Sequence, residues 1–424
     1  MSETKANIIN EYRIVPPQLL RTEVELPASK SISNRVLMVS ALTDSTALPQ
    51  HLSDCDDTSV MVDALTHMPP VIDIHGAGTA MRFLTAYLAA TPGGTHTLTG
   101  TKRMQQRPIK VLVDALRHLG ATIDYAGREG YPPLRITGQR LDGGEVEVAG
   151  NVSSQFISAL LMIGPALQQG LTLRLTGDIV SRPYIDLTIW VMHEYGADVE
   201  WTSVDTISVK PKPYRRPHDY FIESDWSAAS YWYEMVALSP DKETEVRLMH
   251  LADGSRQGDS SVRYIFSLLG VKTKFQSHRD GRPTTVTLRK NGHCVRRLVY
   301  DFAGAPDLAQ TIVATCCARG IAFRFTGLQT LRIKETDRIA ALTTEMLKLG
   351  YVLKAEDDGV LVWDGETVEP VALPAIDTYD DHRMAMAIAP VAFVRQLTIR
   401  QPQVVTKSYP HFWDDLTKAG FKII

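Results

Sequence analysis

Nine cations in this sequence keep similar company. Lys30 and Arg35 stand in LPASKSISNR, Arg82 in GAGTAMR, Arg107 in QQRPI and Arg182 in SRPYID. Lys334 and Arg338 follow in KETDR, Arg383 in DDHRMAMA and Lys407 in TKSYP. Most of them lie where a run of helical period begins. A helix N-terminus is already the positive end of a dipole and favours Asp or Glu. Cations gathered there cost stability unless an anion joins them. Free N–H groups, serine hydroxyls, arginine forks and lysine point charges together suit a small polyanion, phosphorylated and multiply charged.

Other residues fit the same use. Ser31 or Ser33 is the expected N-cap of the first helix, and Ser153, Ser154 and Gln155 mark another helix start, as do Ser181 and Tyr184. Gly76 and Gly78 would let a ligand come close to the backbone, although their turn is neither a Walker A loop nor a GxGxxG. Two carboxylates stand among the cations. Asp307 opens GAPDLAQTIVA, where an Asp is ordinarily a cap. Glu335 sits beside Lys334, where a Glu ordinarily offsets a helix dipole. In a cleft full of positive charge they are also the candidate groups for proton transfer.

The elements that must position these side chains are legible in a repeat. DALRHLGATIDY, WVMHEYGADVEW, RYIFSLLGVKTKF and TEMLKLGYVLKAE each read as a helix that stops at glycine and turns into a strand. The glycines, Gly120, Gly196, Gly270 and Gly350, fall roughly 75–80 residues apart. Further helices such as SSQFISALLMIGPAL precede strands such as LTLRLTG. The pattern predicts an α/β chain built from βαβαββ units, about six of them at about 70 residues each.

Bulk properties narrow the classes. At 424 residues the chain is too long for one ordinary core, so two domains are expected. A net charge of −3 excludes nucleic-acid binding driven by bulk charge, so anion binding must come from local clusters. The longest apolar runs are too short to span a membrane, and the sequence MSETKANIINEYRIVPP lacks the pattern of a secretory signal. Cys55, Cys294, Cys316 and Cys317 show no metal-ligand spacing and read as reduced, buried thiols.

Taken together, LPASKSISNR, GAGTAMR, QQRPI, VSSQF, SRPYID, APDLAQ, KETDR, DDHRMAMA and the lysine of TKSYP resemble the EPSP synthase family of enolpyruvyl transferases along essentially the whole chain. The resemblance implies a two-domain enolpyruvyl transferase fold. Each domain would hold three βαβαββ units around a pseudo-threefold axis, like an inverse α/β barrel. One domain would comprise residues 1–26 and 224–424 and the other residues 27–223, with the active site in the cleft between them.

The implied reaction joins phosphoenolpyruvate to shikimate 3-phosphate on the route to chorismate and aromatic amino acids, without metal or organic cofactor. By motif position, shikimate 3-phosphate would meet Lys30, Ser31, Arg35, Ser153, Ser154, Ser181, Tyr184, Asp307 and Lys334. Phosphoenolpyruvate would meet Lys30, Gly78, Arg107, Gln155, Arg338, Arg383 and Lys407. Asp307 would take the proton of the 5-hydroxyl, and Glu335 with Lys30 would protonate the methylene carbon. The resemblance further implies a cytoplasmic monomer, a target of glyphosate, without nucleic-acid or membrane partners.

Two positions depart from the common pattern. Thr330 replaces an Asn expected beside the phosphorylated sugar acid, and Phe83 replaces a Pro after Arg82. Phe83 could shift the helix that carries Gly78. The sister transferase acting on UDP-N-acetylglucosamine typically has a Cys in the loop before the Arg-Pro, and TKRMQQRPI has none. A non-catalytic binder on the same scaffold would be expected to lack Asp307, Glu335 or Lys30, and all three are present. If Arg35 serves only to bind ligand, Arg35→Ala should leave the unliganded protein about as stable as before.

Overall fold

Each sheet of the structure repeats one design. In the clearest copy, Gly144–Ala149 runs parallel to Leu171–Thr176, joined across the helix Ser154–Ile163. The chain then passes through the helix Arg182–Glu194 to Val199–Trp201 and turns back as Thr206–Val209. That last strand inserts antiparallel between Leu171–Thr176 and Val199–Trp201. The result is a βαβαββ unit. This computed structural model describes residues 11–43, 49, 51–215, 217, 220–277 and 284–424, and among them the four-stranded pattern occurs five times.

The chain divides into two compact units. Unit I holds the described residues up to Leu26 with Trp226–Asp253 and Asp259–Ile424, and unit II holds Pro27–Asp225 with Gly254–Gly258. Residues 1–10 of the expected first segment lie outside the described residues. Glu223 and Asp225 stay with unit II because their backbones bond Ser29 and Pro27. Gly254–Gly258 joins the same unit as Gln257 Nε2 donates to the Ser224 carbonyl and its Oε1 accepts from Ser29 Oγ.

Unit I contains three of the sheets and unit II two. In unit II the stretch that holds the helices Lys30–Ala41 and Asp56–His67 shows, among the described residues, the isolated bridge Ala28–Ser224 in place of a four-stranded sheet. One sheet of unit I is assembled from distant parts of the chain. Glu11–Val15 inserts between Leu397–Arg400 and Lys422–Ile423, antiparallel to both.

The repeat glycines do what their position demands. Gly120, Gly196, Gly270 and Gly350 have φ of 102°, 77°, 99° and 93°, a region that side-chain-bearing residues avoid. Each unit buries its own apolar core. In unit I helix Trp226–Leu238 is buried at every position but Ser227. In unit II the helix Gly78–Ala90 has the same role. Phe83 is wholly buried there, with the Arg35 guanidinium carbon 5.6 Å from its ring centroid. Cys55, Cys316 and Cys317 are buried free thiols, but Cys294 is exposed, contrary to expectation, just before the strand Arg297–Asp301. No helix among the described residues is long and apolar enough to cross a membrane.

Candidate active site

Unit I brings five of the expected residues into one cluster. Asp307 lies in a short 3-10 turn, Pro306–Leu308, that leads into the helix Ala309–Arg319. It is not a helix cap: Leu308 occupies that position, with no side-chain cap bond. Its carboxylate is held by three cations instead. Arg338 Nη1 donates to Oδ1 at 2.9 Å, Lys334 Nζ stands 3.5 Å from Oδ1, and Arg383 Nη2 donates to Oδ2 at 3.1 Å.

Arg338 is the hub of the cluster. It is 1% exposed, and its remaining donors reach Glu335 Oε2 at 2.9 Å and Asp381 at 2.7 and 3.2 Å. Glu335 therefore answers an arginine and not the helix dipole. The cap of helix Arg338–Lys348 is Asp337, whose Oδ1 accepts from the Ile339 and Ala340 amides. Asp381 caps the helix His382–Ile388 through the Arg383 amide, so one fully buried carboxylate fixes both arginines. Two left-handed residues, Tyr379 and Asp380, turn the chain into that cap. Lys407 Nζ reaches the Asp380 carbonyl at 2.8 Å.

The charges in this cluster set their own protonation. Burial alone would raise the Asp307 pKa, but Arg383, Lys334 and Arg338 outweigh it and hold the carboxyl well below the usual range. Burial would also lower the Arg338 pKa, yet Asp381, Glu335 and Asp307 push it above its ordinary value. The arrangement can grip an oxyanion through arginine forks and can exchange protons through two carboxylates. Thr330 lies in the nearby 3-10 turn Gln329–Ile333, and its buried hydroxyl has no hydrogen-bond partner among the described residues.

Unit II holds the other expected residues in several linked pairs. The first helix is capped by Ser29, whose Oγ accepts from the Ile32 amide, and not by Ser31 or Ser33. Ser33 instead accepts the Ser53 amide. Moving the cap forward places Lys30 at the first helical position. Its amide donates to Asp225 Oδ2 at 3.1 Å and its Nζ to Asp57 Oδ2 at 3.2 Å.

Arg35 is 3% exposed and serves as internal scaffolding. It donates to Thr188 Oγ1, the Ser31 carbonyl, Ser158 Oγ and the Tyr184 carbonyl at 2.7–3.2 Å. Burial lowers its pKa to about 10, which leaves it charged at neutral pH. Ser181 occupies the N-cap position of the helix Arg182–Glu194 without a side-chain cap bond, in the left-handed region at φ 55°, an uncommon conformation for serine. Arg182 leaves that helix start to stack over Trp201 at 4.1 Å.

Ser153 caps the helix Ser154–Ile163 by accepting the Gln155 amide, as expected. Gln155 Nε2 then donates to Thr79 Oγ1, next to Gly78. Gly78 opens its helix with Arg107 lying over it: a Cβ there would stand 2.6 Å from Arg107 Nη1. Arg107 is not at a helix start, because the helix that follows it begins at Lys110. Arg82 is not at a helix start either. It lies one turn in and is buried.

Sequence reasoning missed Asp57, Asp225 and Asp381. The adjacent acids DD at 56–57 and DDHR at 380–383 were signals for two of them. Among the described residues, no group of three or more His, Cys, Asp or Glu is arranged to hold a metal ion.

A solved structure of EPSP synthase from Acinetobacter baumannii superposes with a TM-score of 0.77 at 21% identity, covering 98% of this chain and 100% of that one. The enolpyruvyl transferase NikO from Streptomyces tendae follows at 0.71 and 15%, covering 98% of both chains. The fold is therefore that of the enolpyruvyl transferases.

The EPSP synthase family model, described as 3-phosphoshikimate 1-carboxyvinyltransferase, matches residues 14–75 and 68–416. The 3-phosphoshikimate 1-carboxyvinyltransferase of Bacteroides fragilis is 57% identical over 97% of this chain and 98% of its own length. Its counterpart in Photobacterium profundum is 35% identical over 96% and 98%. The chain belongs to the EPSP synthase family.

Proposed function

We propose that the protein transfers the enolpyruvyl group of phosphoenolpyruvate to the 5-hydroxyl of shikimate 3-phosphate. The products are 5-enolpyruvylshikimate 3-phosphate and inorganic phosphate. One observation carries the chemistry: Asp307 and Glu335 share Arg338, with Lys334 and Arg383 on the same carboxylate. Anion-binding groups and two acid–base groups thus occupy one cluster. The full-length similarity to curated enzymes of that name supports the choice of substrates.

In this reading Glu335, assisted by Lys30, delivers a proton to the methylene carbon of phosphoenolpyruvate. The adjacent carbon becomes electrophilic, and the 5-hydroxyl oxygen bonds to it as Asp307 accepts the hydroxyl proton. Cleavage of the carbon–oxygen bond to phosphate then expels phosphate, and loss of a methyl proton restores the double bond. Negative charge shifts among phosphate oxygens throughout, where fixed arginines contribute most.

A carboxylate held as ionised as Asp307 is a weak base in the unliganded protein. An anionic substrate that draws Arg383 and Lys334 toward itself removes the two strongest charges holding that proton affinity down. Base strength would then rise when the hydroxyl arrives. Arg35 spends four of its five donors on the protein, so it orders Ser31 and Tyr184 and offers shikimate 3-phosphate its remaining N–H.

In this reading the enzyme works as a cytoplasmic monomer, needs no added metal or organic cofactor and is a target of glyphosate. Incubation with both substrates should release phosphate and yield the enolpyruvyl ether by mass spectrometry, with or without EDTA. The proposal fails if no phosphate appears, or if UDP-N-acetylglucosamine replaces shikimate 3-phosphate as acceptor.

A further inference from the structure

We propose that Arg82 is a positioning residue that holds Gly78, Arg107 and Gln155 in register for phosphoenolpyruvate, an inference that rests on the functional reading above. Arg82 is 3% exposed. Its Nη1 donates to the Gly78 carbonyl at 3.2 Å and faces Met104 Sδ at 3.4 Å. Its Nη2 donates to the Pro108 carbonyl at 3.2 Å. Its guanidinium carbon stands 5.5 Å from the Phe156 ring centroid.

Every one of these contacts lands on, or near in sequence to, a residue assigned to phosphoenolpyruvate. Gly78 is touched directly. Arg107 is bracketed, because Met104 opens the short turn whose carbonyl accepts the Arg107 amide and Pro108 follows it. Phe156 follows Gln155, whose side chain is tied back to Thr79. Three separate stretches of chain therefore meet on one buried guanidinium.

The residue type fits the task. A planar fork of five donors can serve the two carbonyls and the sulfur in one fixed geometry while its face lies on a ring. A lysine has a single nitrogen and cannot span them. The consequence is specific to one ligand: loosening Arg82 should disturb phosphoenolpyruvate, because Gly78, Arg107 and Gln155 are all assigned to it.

The test compares the full-length protein with its Arg82→Met and Arg82→Lys variants. Misplacing several contacts by a fraction of an ångström should raise KM for phosphoenolpyruvate about tenfold to a hundredfold. The titration of shikimate 3-phosphate alone should superpose on that of the parent protein. Arg107 should also react faster with phenylglyoxal in the variants, as read by peptide mass mapping. If Arg82→Met does not fold, Arg82→Lys carries the same expectations.

Equal losses for both ligands, or an unchanged KM, would overturn the assignment and leave Arg82 an ordinary core residue. The two readings can fail separately. A parent protein that releases no phosphate refutes the functional reading, and with it a role toward phosphoenolpyruvate. Unchanged Arg107 reactivity in the variants refutes the positioning itself.

Discussion

Asp307 and Arg383 meet twice: Arg383 Nη2 donates to the Asp307 carboxylate at 3.1 Å, and Nη1 donates to the Asp307 backbone carbonyl at 3.3 Å. The side chain and the main chain of one residue are thus read by one guanidinium. Asp307→Asn keeps the shape and the backbone bond and removes the charge and the proton-accepting capacity. Turnover should fall by roughly 10²–10⁴-fold. Shikimate 3-phosphate binding, measured by titration, should survive. A rate near that of the parent protein would remove Asp307 from the chemistry.

The same cluster predicts an acid-sensitive step. The folded-state pKa of Asp307 is depressed below its ordinary 3.8. Its contribution to stability is therefore complete above the unfolded pKa and is lost as pH falls through the folded one. Melting temperature should decline from about pH 5 downward. Asp307→Asn should show a flatter acid limb, because it has no such proton to gain. Parallel acid limbs for the two proteins would contradict the coupling.

Arg35→Ala should destabilise the unliganded protein, reversing the expectation drawn from sequence. The substitution empties a buried volume and leaves the Ser31 carbonyl without its arginine donor. A loss of about 1–3 kcal/mol is expected for stranded buried polar groups, visible in a urea titration. Arg35→Lys should recover only part of it, having one nitrogen for four acceptors. An unchanged midpoint would return Arg35 to a purely ligand-binding role.

Gly78→Ala should separate binding from folding. The three atoms nearest a Cβ at this site all belong to the Arg107 guanidinium, at 2.6–3.1 Å. The movable end of a side chain can yield, so the fold should persist, and alanine suits a helix better than glycine by up to about 1 kcal/mol. The melting temperature should hold or rise slightly while KM for phosphoenolpyruvate increases. A large drop in melting temperature would show that the backbone, and not Arg107, had absorbed the clash.

Shikimate 3-phosphate should stabilise the protein through linkage, by about 2.7 kcal/mol at a hundredfold excess over its dissociation constant. Shikimate without the phosphate should give a much smaller thermal shift at the same concentration. Equal shifts from the two compounds would mean that Ser153, Ser154 and Lys334 do not bind phosphate.

Local chemistry was readable from sequence where a residue acts on its near neighbours. Gly120 and Gly350 announced helix ends because their positive φ excludes other residues, and Ser153 announced a helix start by capping it. The cap of the first helix lies a few residues before its expected place because Ser29, Ser31 and Ser33 are equally good caps in isolation, and tertiary bonds, from Ser29 Oγ to Gln257 and from the Ser53 amide to Ser33, separate them. The cationic partners of the site were legible through their motifs, but their anchors were not. Asp225 meets Lys30 across 195 residues of chain, and Asp381 meets Arg338 across 43. Arg82 looks like a ligand-facing cation because sequence shows charge and not burial, and for the same reason the four protein acceptors around Arg35 stay hidden.

The interleaved sheet of unit I has a consequence for how the chain is made. Its strand Glu11–Val15 leaves a ribosome long before its partners Leu397–Arg400 and Lys422–Ile423. Unit II needs little beyond Asp225 to be complete, lacking only Gly254–Gly258. Domains generally fold as units during synthesis. Unit II should therefore acquire protease resistance on nascent chains of intermediate length, with the early strand still waiting for its neighbours. Arrested chains ending shortly after residue 300 should release a protected fragment beginning near Pro27, and cleavage near Val15 should cease only once the final strands have emerged. Resistance gained by both regions at the same chain length would show that the two units fold together.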